Sequence, residues 1–395
     1  MNLSPRIKLG IVAGGIIVFF VGILFFYLNR ANERFNDTSN NLPTNDGFEI
    51  LSEDGNLEVF DQSGFAVEPS EATSSVLRRI IDSPVAGYQI ISNDNSYRLR
   101  YIESNTGYIF DYYPSDGTSV RLTNTSLPRI TQATWLGEDR VFITYHTPDQ
   151  SVNYLAEIDY ETGSLTGQTF PSEITSITTT DGDQIYYLVT DDGGSSLYEY
   201  NPFTQRSRFK FAFDINGLEL INNQNDPSIL YAVTKPNPNG GSQIIYEVNP
   251  ETNLSELIST SPETAGALVV GEYVVHFGED SEIYNLASDE TLAINQTGLA
   301  SKKCQKITNV VDSREIICSR STVDPVNNWL FDWFKGRLRP SEQLVSIDLS
   351  FGDSFTVVDL SNLYDASQIQ VTPDYIYFVS RRTGYLHEVF RGTAF

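Results

Sequence analysis

Two cysteines, Cys304 and Cys318, have a spacing that suggests a covalent bond. If the segment between them forms a β-hairpin with its turn near Val311 and Asp312, the two cysteines lie directly opposite each other. Directly opposed residues of antiparallel strands have Cα atoms ~4.5–5.5 Å apart, which is within the range of a disulfide. The spacing therefore predicts a disulfide, with two buried free thiols as the alternative. A redox or metal role is disfavoured because neither a CxxC motif nor a paired histidine accompanies them.

An aromatic and basic cluster lies in the segment 321–342. Its candidate binding residues are Trp329, Phe331, Trp333, Phe334, Lys335, Arg337 and Arg339. The wider segment 301–340 carries eight Lys and Arg against four acidic residues, in a chain whose net charge is −25. Aromatic side chains combined with arginine are typical of protein-interface hot spots. The favoured interpretation is a cap, in which the aromatic residues fold back over the end of the domain and leave only the basic residues exposed. A binding surface formed by these seven residues is the alternative.

Sequence motifs predict no catalytic centre. The chain has no GxSxG elbow, P-loop, HExxH motif or EF-hand spacing. Its three histidines, His146, His276 and His387, lie in different repeats, where strand-end or surface positions are the ordinary expectation. The Asp-Gly stretches 181–183 and 191–194 could hold calcium, but they fit turns better. The sequence therefore assigns no catalytic residue, no metal ligand and no cofactor.

The element that would place these groups in the cell is the apolar segment 9–28, LGIVAGGIIVFFVGILFFYL. It holds twenty residues without a charge, and at ~1.5 Å per residue it spans ~30 Å, the thickness of a bilayer's hydrocarbon core. A cleaved signal peptide is the rival interpretation. Its apolar region would be ~7–15 residues long and followed by a small-residue cleavage site, which the following NRANER lacks. The segment predicts an uncleaved, single-pass transmembrane signal anchor.

The orientation of this anchor is predicted from the chain that follows it. Arg6 and Lys8 before the span are matched by Arg30 and Arg34 after it, so positive charges alone do not decide the orientation. All 51 acidic residues lie after residue 30, and the predicted disulfide suits an oxidising compartment. We therefore expect a short cytoplasmic tail (1–8) and an extracytoplasmic domain. The acidic balance disfavours a nucleic-acid partner, because phosphate binding needs clustered Lys and Arg.

The remainder of the chain consists of short alternating segments that fall into groups of four. One group is ITQATWLG, RVFITYHT, NYLAEID and LTGQTF, between residues 130 and 170. The repeat of about 40–45 residues is typical of propeller blades, each a four-stranded sheet. The third segment of each group enters a turn of Asn, Asp, Pro or Gly, as a hairpin requires. This pattern predicts an all-β, seven-bladed β-propeller. A pair of β-sandwiches, which needs no fixed four-strand period, is the alternative.

Closure of the ring needs one more strand. Counting from Val85 gives six complete groups and a last group of three that ends at Phe395. Because an open ring leaves unpaired backbone groups at its edge, we predict that a strand within 56–68 completes the last blade. We also predict a helical turn around Ser70–Ile81. The expected domains are a polar stalk over 29–56, too poor in apolar residues to fold, and one propeller over 57–395.

Several longer stretches resemble one family in their order along the chain. They are LRRIIDSPVAG (77–87), RYIESNTGYIFDY (100–112), RLTNTSLPRITQATW (121–135), ILYAVTKPNPNGG (229–241), the cysteine pair, DWFKG (332–336) and SEQLVSID (341–348). Together they resemble membrane-anchored β-propeller proteins of candidate-phylum, Patescibacteria-type bacteria, with WD40-like and TolB-like propellers as more distant architectural relatives. The resemblance covers about 77–395. It implies a propeller held at a membrane, and it implies no enzymatic activity or ligand.

These observations favour a binding or scaffold module of the cell envelope, tethered to the membrane and engaging a protein or glycan partner. The competing hypothesis is an extracytoplasmic hydrolase or lyase that uses carboxylates at the mouth of the propeller channel. A purely structural role in an envelope assembly is the third. Convergence of carboxylates with His or Arg in a pocket would favour the enzyme, and an exposed aromatic and basic patch would favour the binding module.

Overall fold

Seven four-stranded antiparallel sheets form the main folded unit in this computed structural model. The structure describes residues 49–51, 57–59, 77–93, 96–180, 184–223, 226, 228–237, 241–262, 265–307, 313–322, 329–338, 341–360 and 364–391. The sheets lie within a unit running from Thr73 to Phe395. The chain is therefore an all-β, seven-bladed β-propeller, as predicted. The sandwich alternative is wrong, since the strands form seven separate four-stranded sheets, six of which take four consecutive strands of the chain.

The first three blades contain twelve strands, each blade running in chain order from its first to its fourth strand. Blade 1 comprises β4 (Val85–Asn93), β5 (Ser96–Glu103), β6 (Ile109–Tyr113) and β7 (Thr118–Arg121). Blade 2 comprises β8 (Ile130–Trp135), β9 (Arg140–His146), β10 (Ser151–Asp159) and β11 (Ser164–Phe170). Blade 3 comprises β12 (Ile174–Thr179), β13 (Ile185–Asp191), β14 (Gly194–Asn201) and β15 (Arg206–Phe213).

The next three blades continue this order and include the two described helices of the unit. Blade 4 comprises β16 (Leu218–Asn222), β17 (Leu230–Thr234), β18 (Gln243–Asn249) and β19 (Leu254–Ser261). Blade 5 comprises β20 (Ala267–Val270), β21 (Tyr273–His276), β22 (Glu282–Asn285) and β23 (Glu290–Ala293). Blade 6 comprises β24 (Cys304–Lys306), β25 (Glu315–Ser321), β26 (Glu342–Asp348) and β27 (Ser354–Leu360). A 3-10 turn (Ser301–Lys303) precedes β24, and helix α1 (Trp329–Phe334) lies between β25 and β26.

The seventh blade is built from both parts of the unit. It comprises β28 (Ala366–Val371), β29 (Tyr375–Ser380), β30 (Leu386–Phe390) and, as its outer strand, β3 (Leu77–Arg79). Leu77 pairs with Val389 and Arg79 with His387. The ring is thus closed by an N-terminal strand. That strand does not lie in 56–68: the part of that segment described, β2 (Leu57–Val59), pairs instead with β1 (Glu49–Leu51) in a separate hairpin.

Two other sequence-based predictions concern the N-terminal part of the chain. The helical turn predicted around Ser70–Ile81 is wrong for residues 77–79, which form β3; residues 70–76 lie outside the described part. The segment 9–28 and nearly all of the stalk 29–56 also lie outside it. Among the described residues, no helix has the length and apolar character needed to cross a bilayer.

The core lies between adjacent blades. The second strand of each blade contains a run of four or more buried residues, as in β13 and β29, whereas the fourth strands β7 and β23 are exposed throughout. A continuous buried run indicates a strand covered on both faces. Apolar residues from neighbouring blades meet there: Ala86 and Ile102 of blade 1 pack with Val141 and Ile143 of blade 2. The apolar runs in the sequence are therefore the surfaces that stack one blade on the next.

The predicted disulfide is confirmed. Cys304 of β24 pairs with Cys318 of β25 in the ladder, and their sulfur atoms are bonded. The predicted register holds along the hairpin, since Lys306 is opposite Ile316. Closing a loop of this length stabilises a fold by about 3 kcal/mol in the chain-entropy model. The bond fixes the innermost strand of blade 6, whose preceding turn contributes to the candidate site.

His387 is a buried polar group that weakens the core at low pH. Its ring stacks on Phe378 with centroids 5.2 Å apart, and among the described residues neither ring nitrogen has a hydrogen-bond partner. Burial, with a smaller contribution from Arg79, lowers the pKa of His387 to about 4. The pKa of His387 is thus lower in the folded protein than in the unfolded chain. As the pH falls from about 6.5 towards 4, the unfolded chain takes up a proton that the folded protein does not, so the free energy of unfolding decreases.

Replacing this histidine with an aromatic of similar shape should therefore stabilise the propeller. We expect His387→Phe to raise the free energy of unfolding by about 1 kcal/mol at pH 7 and by about 2 kcal/mol more at pH 5. Thermal unfolding at the two pH values measures both effects. His146→Asn is the control, since His146 is exposed at the end of β9. If the melting temperature changed equally with pH in wild type and in His387→Phe, His387 would not be the group that destabilises the protein at low pH.

Candidate functional site

The predicted aromatic and basic cluster emerges on one face of the propeller. Because strands in a blade alternate in direction, the β25–β26 connection lies on the same face as the links between successive blades. We call this the linker face. Helix α1 lies within that connection, between the end of β25 at Ser321 and the start of β26 at Glu342. The side chains that contact Trp333 of α1 lie at the linker-face ends of blades 6 and 7: Lys303 before β24, Asp365 before β28 and Arg381 after β29.

Helix α1 is short and has a defined end. Its sequence, WLFDWF, is followed by Gly336 with φ +67°, the left-handed conformation that commonly terminates helices. The backbone N–H of Gly336 donates to the Trp333 carbonyl at 2.9 Å, and the N–H of Arg337 donates to the Asp332 carbonyl at 2.8 Å. These bonds satisfy carbonyl groups that a helix end would leave unpaired. They also turn the chain so that the residues after the helix face solvent.

Trp333 anchors α1 to the propeller. It is buried, and its indole Nε1–H donates to Asp365 Oδ1 at 3.2 Å. The ammonium of Lys303 and the guanidinium of Arg381 each lie 4.7 Å from the centroid of its ring. A cation at that distance over a desolvated indole stabilises by about 2 kcal/mol. Leu330, also buried, packs in the same core cluster as Trp333.

A buried ion cluster lies beneath this tryptophan. The ammonium of Lys303 donates to the carboxylate of Glu342 and, at 2.8 Å, to Asp365 Oδ1. Glu342 also accepts from the Ser319 hydroxyl at 2.7 Å and from the Ala366 N–H at 2.8 Å. Burial raises the pKa of the Glu342 carboxyl, and the neighbouring Lys303 ammonium opposes this effect. The cluster joins β24, β25 and β26 of blade 6 to the start of β28 in blade 7, which gives α1 a fixed base.

The other end of α1 presents exposed side chains. Phe334 is 38% exposed, and Lys335 and Arg337 are exposed beside it. Arg337 lies 3.7 Å from Asp332, an exposed ion pair of small energetic value. We call Phe334, Lys335 and Arg337 the α1 patch. Trp329 is partly buried.

The cap interpretation thus fits one part of the predicted cluster, and a surface position fits another. The structure brings Phe334, Lys335 and Arg337 together at the surface, and it places Trp333 underneath as part of a cap. The side chain of Phe331 and all of Arg339 lie outside the described residues. The seven residues remain a predicted binding site, of which three are placed at the surface.

A second group of charged residues on the linker face was not predicted from the sequence. Lys302 contacts Glu219 of β16, and Lys235 donates to the Thr175 carbonyl at 2.6 Å. Burial lowers the pKa of Lys235. These residues come from blades 3, 4 and 6, so no local pattern in the sequence could have grouped them. The carboxylate of Glu219 is already paired with Lys302. This pairing fits a structural connection across the ring better than acid–base chemistry.

The three histidines do not converge. His146, His276 and His387 lie on β9, β21 and β30, in blades 2, 5 and 7. Within the described ranges, no group of three or more His, Cys, Asp or Glu could hold a metal ion. Asp365 contacts Arg381 and Trp333, and Glu342 contacts Lys303, but both carboxylates are paired beneath α1 rather than lying in an open pocket.

No protein-family model matches the chain, and no curated protein sequence matches it. Solved structures are similar in fold. The extracellular domain of a proposed one-component system from B. thetaiotaomicron matches with a TM-score of 0.52 and 10% identity, over 90% of this chain and 46% of that one. Virginiamycin B lyase from Staphylococcus aureus, an inactive variant with quinupristin, matches with 0.51 and 11%, over 80% and 98%. TolB from Acinetobacter baumannii matches with 0.40 and 11%, over 77% and 78%.

These likenesses concern the fold alone. The chain spans less than half of the B. thetaiotaomicron structure and most of the other two. At 10–11% identity they give no residue correspondence from which an activity could be transferred. The predicted β-propeller fold agrees with the two likenesses whose TM-scores exceed 0.5, whereas the predicted resemblance to membrane-anchored bacterial proteins stays a prediction.

Proposed function

We propose that this protein is a binding module of the cell envelope, a propeller tethered outside the cytoplasm that engages a partner through the linker face. In this proposal residues 9–28 form the anchor, 1–8 remain in the cytoplasm and 29–56 form the stalk. The support is the uncharged run of twenty residues, after which the chain carries all 51 acidic residues and a disulfide.

The observation that carries the binding proposal is the α1 patch on its buried base. The patch combines an exposed phenylalanine with two exposed cations on a chain with a net charge of −25. Its supporting helix is held by Trp333 and the Lys303 ion cluster, so the patch is positioned before a partner arrives. Pre-positioned contacts lose less conformational entropy on binding.

The chemistry of the patch favours a protein partner with an acidic and apolar surface. Phe334 offers apolar area, while Lys335 and Arg337 complement carboxylates. A glycan partner would be better served by an exposed indole as a stacking platform, and the described Trp333 is buried. The net negative charge of the chain disfavours an acidic partner in general, so the two cations of the patch favour its approach there.

A crosslinking experiment on intact cells tests this proposal. A photoreactive residue placed at position 334 of the full chain should capture a protein. Adding Lys335→Glu with Arg337→Glu should reduce that capture at least tenfold, because two attractive charges become repulsive, and raising the salt concentration should weaken it. A photoreactive residue at position 351 is the control: Phe351 is 74% exposed in the turn between β26 and β27, on the opposite face.

Thermal unfolding should be unchanged in the charge variant, since both altered side chains are exposed. Equal capture from positions 334 and 351, or capture that survives the charge reversal, would refute the α1 patch as the binding site. Crosslinks to polysaccharide instead of protein would refute the choice of partner.

A further inference from the structure

A groove of about 420 Å³ lies between blades 4 and 5, away from the α1 patch. Its origin is a difference in strand length. The outer strand of blade 4, β19, has eight residues, whereas each strand of blade 5 has only four. Blade 5 therefore covers only part of the neighbouring surface. Ser259 of β19 and His276 of β21 both line the space that remains.

Three side chains at this groove form a continuous hydrogen-bonded chain. The Ser259 hydroxyl lies 2.7 Å from His276 Nε2, and His276 Nδ1 lies 2.9 Å from Gln243 Oε1. His276 is 1% exposed and Gln243 is 2% exposed, while Ser259 is only partly buried. The serine therefore lies at the groove with the histidine behind it, and the glutamine contacts the other side of the imidazole.

The direction of the hydrogen bonds follows from the last contact. Gln243 Nε2–H donates to the carbonyl oxygen of Phe277 at 2.7 Å. Because a carbonyl oxygen can only accept, Gln243 must present its own oxygen to the imidazole. His276 Nδ1 must then carry the ring proton, and Nε2 is left to accept the hydroxyl proton of Ser259. This is the tautomer that a general base needs.

We propose that Ser259 is a nucleophile, with His276 as its general base and Gln243 as the positioning residue, in an acyl-transfer site that hydrolyses small neutral esters. A nucleophile bonded to a base that a third group orients is the arrangement of serine hydrolases on unrelated folds. The groove wall includes the apolar residues Leu257 and Ile258 for an acyl group. It also includes the carboxylate of Glu282 and no Lys or Arg, which disfavours anionic substrates.

The reaction balances with water as the only second reactant. Ser259 Oγ forms a bond to the ester carbonyl carbon as its proton passes to His276 Nε2. The carbon–oxygen bond to the alcohol then breaks, and the alcohol leaves with the proton from Nε2. Water next gives a proton to Nε2 and attacks the acyl-serine carbon. The Ser259 oxygen leaves, takes the proton back, and a carboxylic acid is released.

The environment of the base has a measurable consequence. Burial lowers the pKa of His276 to about 4. The titratable groups facing it from the adjoining strand β22 are Glu282, its ladder partner, and Tyr284. The imidazole is therefore the free base from about pH 5.5 upward. A serine paired with an ordinary histidine would instead lose about tenfold in reactivity between pH 7.5 and pH 5.5.

A fluorophosphonate probe on the full chain tests the nucleophile. We expect covalent labelling of the peptide that contains Ser259, identified by mass spectrometry, and hydrolysis of p-nitrophenyl acetate above the buffer rate. Ser259→Ala should remove both. Ser255→Ala should retain both, because Ser255 is exposed on the same strand with no histidine bonded to it. Ser255→Ala should unfold at the wild-type temperature. Ser259→Ala should remain folded but unfold a few degrees lower, because Nε2 of the buried His276 loses its hydrogen-bond partner.

The pH profile tests the base separately. Labelling of Ser259 should change less than twofold between pH 5.5 and pH 7.5. A tenfold fall would overturn the assignment of the buried His276 as the base. Absence of label at Ser259, or hydrolysis that persists in Ser259→Ala, would overturn the site. Neither result bears on the α1 patch, which lies in blade 6.

Discussion

Deletion of residues 1–79 should lower the melting temperature of the propeller on the order of 10 °C relative to deletion of residues 1–72. The seven additional residues include β3, the outer strand of blade 7. Its partner β30 has four of its five residues buried, and without β3 that edge loses its ladder. Removal also takes away Arg78, which donates to Glu388 Oε1 at 2.9 Å.

The size of this effect comes from the lost ladder together with the lost ion pair. Glu388 is 5% exposed and in the described structure its Oε2 has no hydrogen-bond partner, but the Arg78 side chain is half-exposed, so the ion pair alone contributes only about 1 kcal/mol. The ladder between β3 and β30 and the packing of Leu77 against the core bring the total loss to about 3–5 kcal/mol, and for a domain of this size each kcal/mol corresponds to roughly 2–4 °C. Arg78→Ala in the full chain isolates the ion pair and should account for part of the loss. Equal melting temperatures for the two deletions would show that β3 does not close the ring.

The strand that closes the ring is also where sequence reasoning failed. The blades themselves were predictable, because alternating segments, turn residues and the Cys304–Cys318 register all operate between neighbours in the chain. The pairing of Leu77 with Val389 joins residues more than 300 positions apart. A three-residue strand, LRR, carries no alternation of its own, so its preceding context suggested a helix. Only the unpaired edge of the last blade required that some N-terminal strand exist.

The candidate site was predictable in composition but not in exposure. Trp333 and Phe334 are adjacent in sequence, yet successive helical residues point about 100° apart, so one is buried and the other lies at the surface. Which of them is buried depends on Lys303 and Asp365, brought under α1 by the packing of blades 6 and 7. The Ser259–His276–Gln243 chain joins two blades in the same way. No spacing within one blade would have revealed it.

Replacing Lys303 should be the most damaging single change to the linker face. Lys303→Met leaves the carboxylates of Glu342 and Asp365 buried with one cation fewer. We expect a loss of about 3–5 kcal/mol in the free energy of unfolding, measured by chemical denaturation. Lys302→Met is the matched control. The neighbouring Lys302 side chain is 48% exposed, so its removal should cost less than about 1 kcal/mol.

A second substitution separates lost charge balance from lost packing. Glu342→Gln in the Lys303→Met background removes the uncompensated charge while its amide oxygen can still accept from Ser319, so it should recover about half of the lost stability. Lys303→Met should also weaken partner capture at position 334, because Trp333 loses a cation that fixes α1. If Lys302→Met and Lys303→Met proved equally mild, the buried cluster would not be the base of α1. The α1 patch would then lack the fixed geometry on which the proposed binding depends.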